Sequence, residues 1–211
     1  MTTTLHRRSL RGYLALGVTT ALVVSAVSLT ARQAKPVVSK GAQVNDAEYT
    51  KRILDNTPDK RILTEFVDHL PASATVPSPL KALGYIPGEN GNITYSADIY
   101  KYLDSLVAAS PRMKCWSIGK TEEGRDTRAC AIADEATIKA LDKYKQITAQ
   151  LTDPRKTTDA QAKMLIATGK PIYWATGSIH SGETGSPEML MELAYRLVVE
   201  ESPFIQQIRN N

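Results

Sequence analysis

The sequence predicts an α/β protein, a mixed β-sheet flanked by helices, on three observations. Two apolar or alternating stretches around Cys115 and Cys130 are joined by the polar GKTEEGRD, which reads as a β-hairpin. Apolar residues at helical spacing flank that hairpin on both sides. A short apolar run at 170–176 leads into a glycine loop and then a helix start. Helix, hairpin, strand, loop and helix in that order form packed layers. The chain has 211 residues, 42% apolar and 23% charged, as in ordinary globular proteins. Its net charge of +4 is mild, and no basic stripe carries interleaved aromatics. Nucleic-acid binding therefore has no support.

The N-terminus, residues 1–34, reads as an export signal. Arg7, Arg8 and Arg11 form a basic leader, and residues 13–31 carry no charge. Arg7-Arg8-Ser9-Leu10 also suits a twin-arginine signal. The alternative is an uncleaved membrane anchor, but Thr, Ser and Gly interrupt the run. The expected location is exported, periplasmic or secreted, with membrane contact only through the signal segment during export.

Residues 35–92 read as a linker and an N-terminal helical segment. Two short helical patterns lie between 46 and 69, broken near Thr57-Pro58, with Ile53, Leu54, Ile62, Leu63, Phe66 and Val67 as their apolar face. Four prolines and several glycines then make 70–92 an irregular stretch. A compact α/β domain is expected over 93–211. Ser96 is the expected cap of a helix carrying Ile99, Leu103, Leu106 and Val107, with Pro111 past its end. The hairpin occupies 112–134. If it is symmetric about Glu122 and Glu123, Cys115 faces Cys130 within disulfide reach. An oxidising compartment would favour the bridge; the alternative is two buried thiols.

One helix is expected from 135 to about 151, with Ile138, Leu141 and Ile147 inward. Thr158 is placed to cap another, stopping at Gly169. The run 170–176 reads as a buried strand. After the loop GSIHSGETG, Ser186-Pro187-Glu188 opens a long helix, with Ser186 as cap and Met189, Leu190, Leu193, Leu197 and Val198 as its apolar face.

The loop carries the chemistry. Catalytic groups of α/β folds sit just past strand ends, where His180 and Glu183 fall. Gly177, Gly182 and Gly185 are expected to let it bend and aim both side chains at one point. Imidazole nitrogen and carboxylate oxygen suit Zn²⁺, whose catalytic sites often combine two His, one Glu and a water. His-x-x-Glu is a weak signal by itself. The bland readings are a loop histidine bonded to backbone and an acid favoured by a helix N-terminus.

Two stretches in order sharpen this. Gly119-Lys120-Thr121-Glu122-Glu123-Gly124-Arg125 looks like the early hairpin turn of the zinc carboxypeptidases, and Pro171 through Glu183 like their strand followed by His-Ser-x-Glu. From about Tyr95 to Asn211 the chain resembles the N-terminal half of that family, the carboxypeptidase A-like metallopeptidases. The resemblance implies His180 and Glu183 as the first two zinc ligands and Zn²⁺ as cofactor. It implies peptide or protein substrates and a phosphorylase/hydrolase-type fold with a larger mixed sheet, truncated here at its C-terminus. The third ligand, the substrate-gripping arginines and the glutamate general base are expected beyond residue 211, so no catalytic residue is assigned within the chain. Gly182 stands where digestive members have arginine, and Gly185 where they have an aliphatic residue. His6 and His69 lie upstream of the pair, in the wrong order for the third ligand.

The expected function is a metallocarboxypeptidase hydrolysing peptide bonds near the C-terminus. This chain alone should bind zinc weakly and be inactive, because two ligands leave the ion largely hydrated. The alternatives are a zinc amidohydrolase removing acyl groups from amino acids and a non-catalytic binding module.

Overall fold

The computed structural model describes residues 43–211; the segment expected as export signal lies outside them. Eight helices and one hairpin follow in order among these residues. Helix α1, Ala47–Asn56, is capped by Asp46, whose carboxylate accepts the Tyr49 N–H at 3.0 Å. Tyr49 and Ile53, one turn apart, face inward. The second expected helix shrinks to a 3₁₀ turn at Lys60–Ile62. Most of its expected apolar face is exposed, Ile62, Phe66 and Val67 included. Helix α2, Pro79–Leu83, starts with Ser78 as cap and proline in its first turn.

Helix α3, Ser96–Ala109, buries Tyr102 and Leu106. Its cap position is Tyr95, without a side-chain bond, so Ser96 is the first helical residue and not the cap. Strands β1, Met113–Lys120, and β2, Asp126–Ile132, form the predicted antiparallel hairpin. Cys115 pairs with Cys130 in register, and their sulfurs are bonded at 2.03 Å. The register slips by one residue between Ser117 and Gly119. Gly124, at φ 78°, closes the turn by donating its N–H to the Thr121 carbonyl at 2.9 Å. Only glycine holds that conformation without strain, which is the physical reason for the second glycine of GKTEEGR.

The predicted 135–151 helix is two, α4 at Glu135–Lys139 and α5 at Leu141–Leu151, although no proline or glycine separates them. Helix α6, Asp159–Thr168, follows the prediction. Thr158 and Gln161 form a reciprocal capping box, and Gly169 ends it.

The expected strand is not formed. Residues 171–176 are all exposed and make no ladder; Tyr173 is 93% exposed. A strand exists only through its neighbours, and the sheet among the described residues is the β1–β2 hairpin alone. Helices with a small antiparallel sheet are compatible with an α/β fold, and the larger mixed sheet is not seen among these residues.

Helix α7, Gly185–Val199, is the axis of the core, with α8, Pro203–Asn210, behind it. Tyr49, Leu70, Tyr102, Leu106, Met191, Tyr195 and Val198 pack together and are almost wholly buried. Each leucine, methionine and valine among them contributes about 1.5–3 kcal/mol of transfer free energy. One core thus joins 43–94 to α3 and α7.

The buried face of α7 is not the expected one. Met189 is half exposed, and Leu190, Leu193 and Leu197 are only partly covered. Of the expected residues Val198 is buried, and it shares the interior with Glu188, Met191, Tyr195, Arg196 and Val199. Polar bonds explain how charged residues come to lie there. The Glu188 carboxylate accepts N–H groups from Gly88 and Thr94, each at 2.6 Å. Glu192 accepts the Tyr49 hydroxyl at 2.6 Å. Arg196 donates to Glu200 and to the His69 carbonyl. Tyr195 donates to the Pro71 carbonyl at 2.9 Å. A buried polar group is tolerated when it is partnered, and here each turn of α7 finds its partner in the segment 43–94 or in its own next turn.

Candidate functional site

The candidate site is the loop 177–184, between the exposed 171–176 run and α7. Gly177 lies against the start of the helix. A Cβ there would stand 3.0 Å from both the Pro187 nitrogen and Leu190 Cδ1, so a side chain would have to push the helix start aside. Gly182 and Gly185 face open space without positive φ, so neither is the hinge the sequence suggested. The tight bend is at Ser178, at φ 61° the one non-glycine residue with positive φ among the described residues. That conformation is uncommon for a residue with a Cβ, and it persists because the surroundings hold it. The Ser178 N–H donates to Ser186 Oγ at 2.7 Å, and its own hydroxyl donates to the His180 carbonyl at 3.0 Å. Ser186 therefore serves the loop, and the cap position of α7 is Thr184.

Beyond Ser178 the backbone turns once. The Glu183 N–H donates to the His180 carbonyl at 3.0 Å, which brings their side chains to one side. His180 Nδ1 and Glu183 Oε1 are 2.8 Å apart. Both are open to solvent, 76% and 54% exposed. The two predicted ligands therefore converge through the atoms a metal would use. Two donors tetrahedrally bound to zinc at 2.0–2.2 Å stand about 3.4 Å apart. Small side-chain rotations, unhindered at these exposures, reach that separation. The donor pair fits zinc as two ligands of a larger set.

No third His, Cys, Asp or Glu joins the pair among the described residues. His69 is engaged elsewhere, its Nδ1 lying 2.5 Å from Asp68 Oδ1. Glu188 and Glu192, the nearest helical acids, read as solvated or dipole-favoured groups in the sequence. They are neither solvated nor free, since both are spent on the core bonds described above. Burial raises the Glu192 carboxyl above its ordinary value, opposed by the Tyr49 hydrogen bond and the Arg196 charge. Burial first, then the charge of Glu192, holds the Tyr49 hydroxyl protonated. The Tyr49–Glu192 and Glu188 bonds were missed in the sequence. Their one signal was the series 188, 192, 196 and 200, charged positions four apart that share a face with Met191 and Tyr195.

The model of the zinc carboxypeptidase family matches residues 99–211, a span holding the hairpin, both cysteines and the His180–Glu183 loop. The chain belongs to the zinc carboxypeptidase family. No curated protein and no solved structure matches it. Membership gives a metallopeptidase family, which implies zinc as the metal and peptides or proteins as substrates. In this zinc carboxypeptidase-like chain, residues 43–94 precede the matched span, yet they supply the partners of the buried charged groups on α7.

Proposed function

We propose that the protein is a zinc-dependent metallocarboxypeptidase that hydrolyses peptide bonds near the C-terminus of peptides, with His180 and Glu183 as two of its zinc ligands. The observation that carries this is the approach of His180 Nδ1 to Glu183 Oε1 at 2.8 Å on an exposed loop, within the span matched to the family. The zinc, when bound, makes its water more acidic and polarises the scissile carbonyl. His180 and Glu183 hold that ion at the loop, and the Ser178 bend fixes where they point. Third ligand and general base come from outside the described residues, so residues 43–211 alone bind zinc weakly and do not turn over substrate. Export is part of the proposal. It is supported by the basic leader before the uncharged 13–31 run and by the Cys115–Cys130 bond, which suits an oxidising compartment.

The test compares the natural full-length protein with its His180→Ala variant on three substrates: a peptide with a free C-terminus, the same peptide amidated, and an N-acyl amino acid. Hydrolysis of the free peptide alone, lost with a chelator and restored by zinc, is expected. In His180→Ala, zinc affinity should fall more than about 100-fold, beyond the 10–100-fold typical of outer-shell partners, and turnover should vanish while the melting temperature holds. Full turnover in His180→Ala removes that residue from the mechanism. Preference for the N-acyl amino acid reassigns the reaction to deacylation.

A further inference from the structure

We propose that Glu188 and Ser186 are positioning residues for the metal pair, and that the segment 86–94, ahead of the span matched to the family, acts through them as a brace for the zinc loop. The inference rests on the assignment of His180 and Glu183 as ligands.

The connection is continuous. Thr94 is buried, and its N–H donates to Glu188 Oε1; Gly88 donates to Oε2 of the same carboxylate. Glu188 is itself 5% exposed. A buried carboxylate with two short N–H bonds is a rigid joint, because losing either donor leaves charge unpaired in the interior. It stands in the first turn of α7, where the helix dipole adds to its hold. That turn also holds Ser186, which accepts the Ser178 N–H at 2.7 Å. The helix start then abuts Gly177, where an added Cβ would crowd the Pro187 nitrogen and Leu190. Ser178, held left-handed by that bond, passes its own hydroxyl to the His180 carbonyl. From loop 86–94 to the backbone of His180 every step is a bond or a close contact. The metal pair itself is exposed and has no packing of its own to orient it. Its orientation therefore depends on this chain of contacts.

Breaking the chain at Ser186 leaves the core untouched. In Ser186→Ala the Ser178 N–H loses its acceptor, and the left-handed bend relaxes toward the ordinary range. Glu188→Gln retains the side-chain volume but offers one acceptor to two donors. The experiment measures zinc affinity of the full-length protein by competition with a chromophoric chelator, beside its melting temperature, for wild type, Ser186→Ala, Ser186→Thr, Glu188→Gln and His180→Ala. Expected are a loss of about tenfold in zinc affinity for Ser186→Ala, in the range of outer-shell partners, with an unchanged melting temperature, and recovery in Ser186→Thr. Glu188→Gln should lose affinity by at least as much, along with some stability. If His180→Ala destroys zinc binding while Ser186→Ala binds like wild type, the brace is overturned and the ligand assignment stands. If His180→Ala binds zinc unchanged, the ligand assignment falls and the brace with it.

Discussion

The segment 43–94 and the run 170–184 flank the same helix and obey opposite rules. The first brings polar groups into the interior and pairs them: Tyr49 on Glu192, Gly88 and Thr94 on Glu188, Pro71 on Tyr195. The second leaves Ile172, Tyr173, Trp174 and Ile179 in solvent. Apolarity alone thus failed to sort inside from outside. What sorted them was the availability of a partner. A hydroxyl, backbone N–H groups and carbonyls of 43–94 meet carboxylates, a hydroxyl and a guanidinium of α7. A strand needs a ladder alongside it, and 170–176 has none among the described residues.

The largest way to break this contrast is in the first region. Leu70 is wholly buried against α7. Leu70→Ala should cost about 2–5 kcal/mol, read by urea denaturation, because a cavity replaces a packed side chain. A cost below about 1 kcal/mol would mean that 43–94 is not part of the cooperative core.

Next comes the buried acid. Burial raises the folded-state pKa of Glu192 above its ordinary 4.5. The folded state then holds this proton more tightly than the unfolded state. Its contribution to stability is therefore fullest below pH 4.5 and declines as pH rises through the folded value. Glu192→Gln removes that decline while still accepting the Tyr49 hydroxyl. The stability of the variant relative to wild type should accordingly increase between pH 4 and pH 8, measured by paired melts. A difference that stays flat with pH would show the carboxyl titrating normally.

The smallest effect belongs to the second region. Trp174 is 65% exposed. Trp174→Ser should change the stability of the 43–211 body by no more than about 0.5 kcal/mol, as for surface substitutions generally. A loss several times larger would show that the run is packed in solution.

How much the sequence disclosed follows the same division. The hairpin, its cysteine register and the Thr158–Gln161 capping box were legible because each is set by residues close along the chain. The convergence of His180 and Glu183 was legible for the same reason, since three positions and one turn join them. The buried face of α7 was not. Leucines at 190, 193 and 197 supply a clean apolar pattern, while the face that is buried includes two acids and an arginine with distant partners. The bend of the candidate loop was misplaced onto glycines. It belongs to Ser178, whose N–H is held by Ser186 and whose hydroxyl bonds the His180 carbonyl.

The two tryptophans of the chain occupy unlike surroundings. Trp116 lies on the hairpin beneath the Lys145 ammonium, 4.2 Å from its ring centre, whereas Trp174 stands in water a few residues ahead of the His180–Glu183 loop. The molecule consequently holds an intrinsic fluorophore next to the candidate site. Acrylamide should quench Trp174 before Trp116, and anything that settles over 170–176 should shift its emission to the blue without an attached dye.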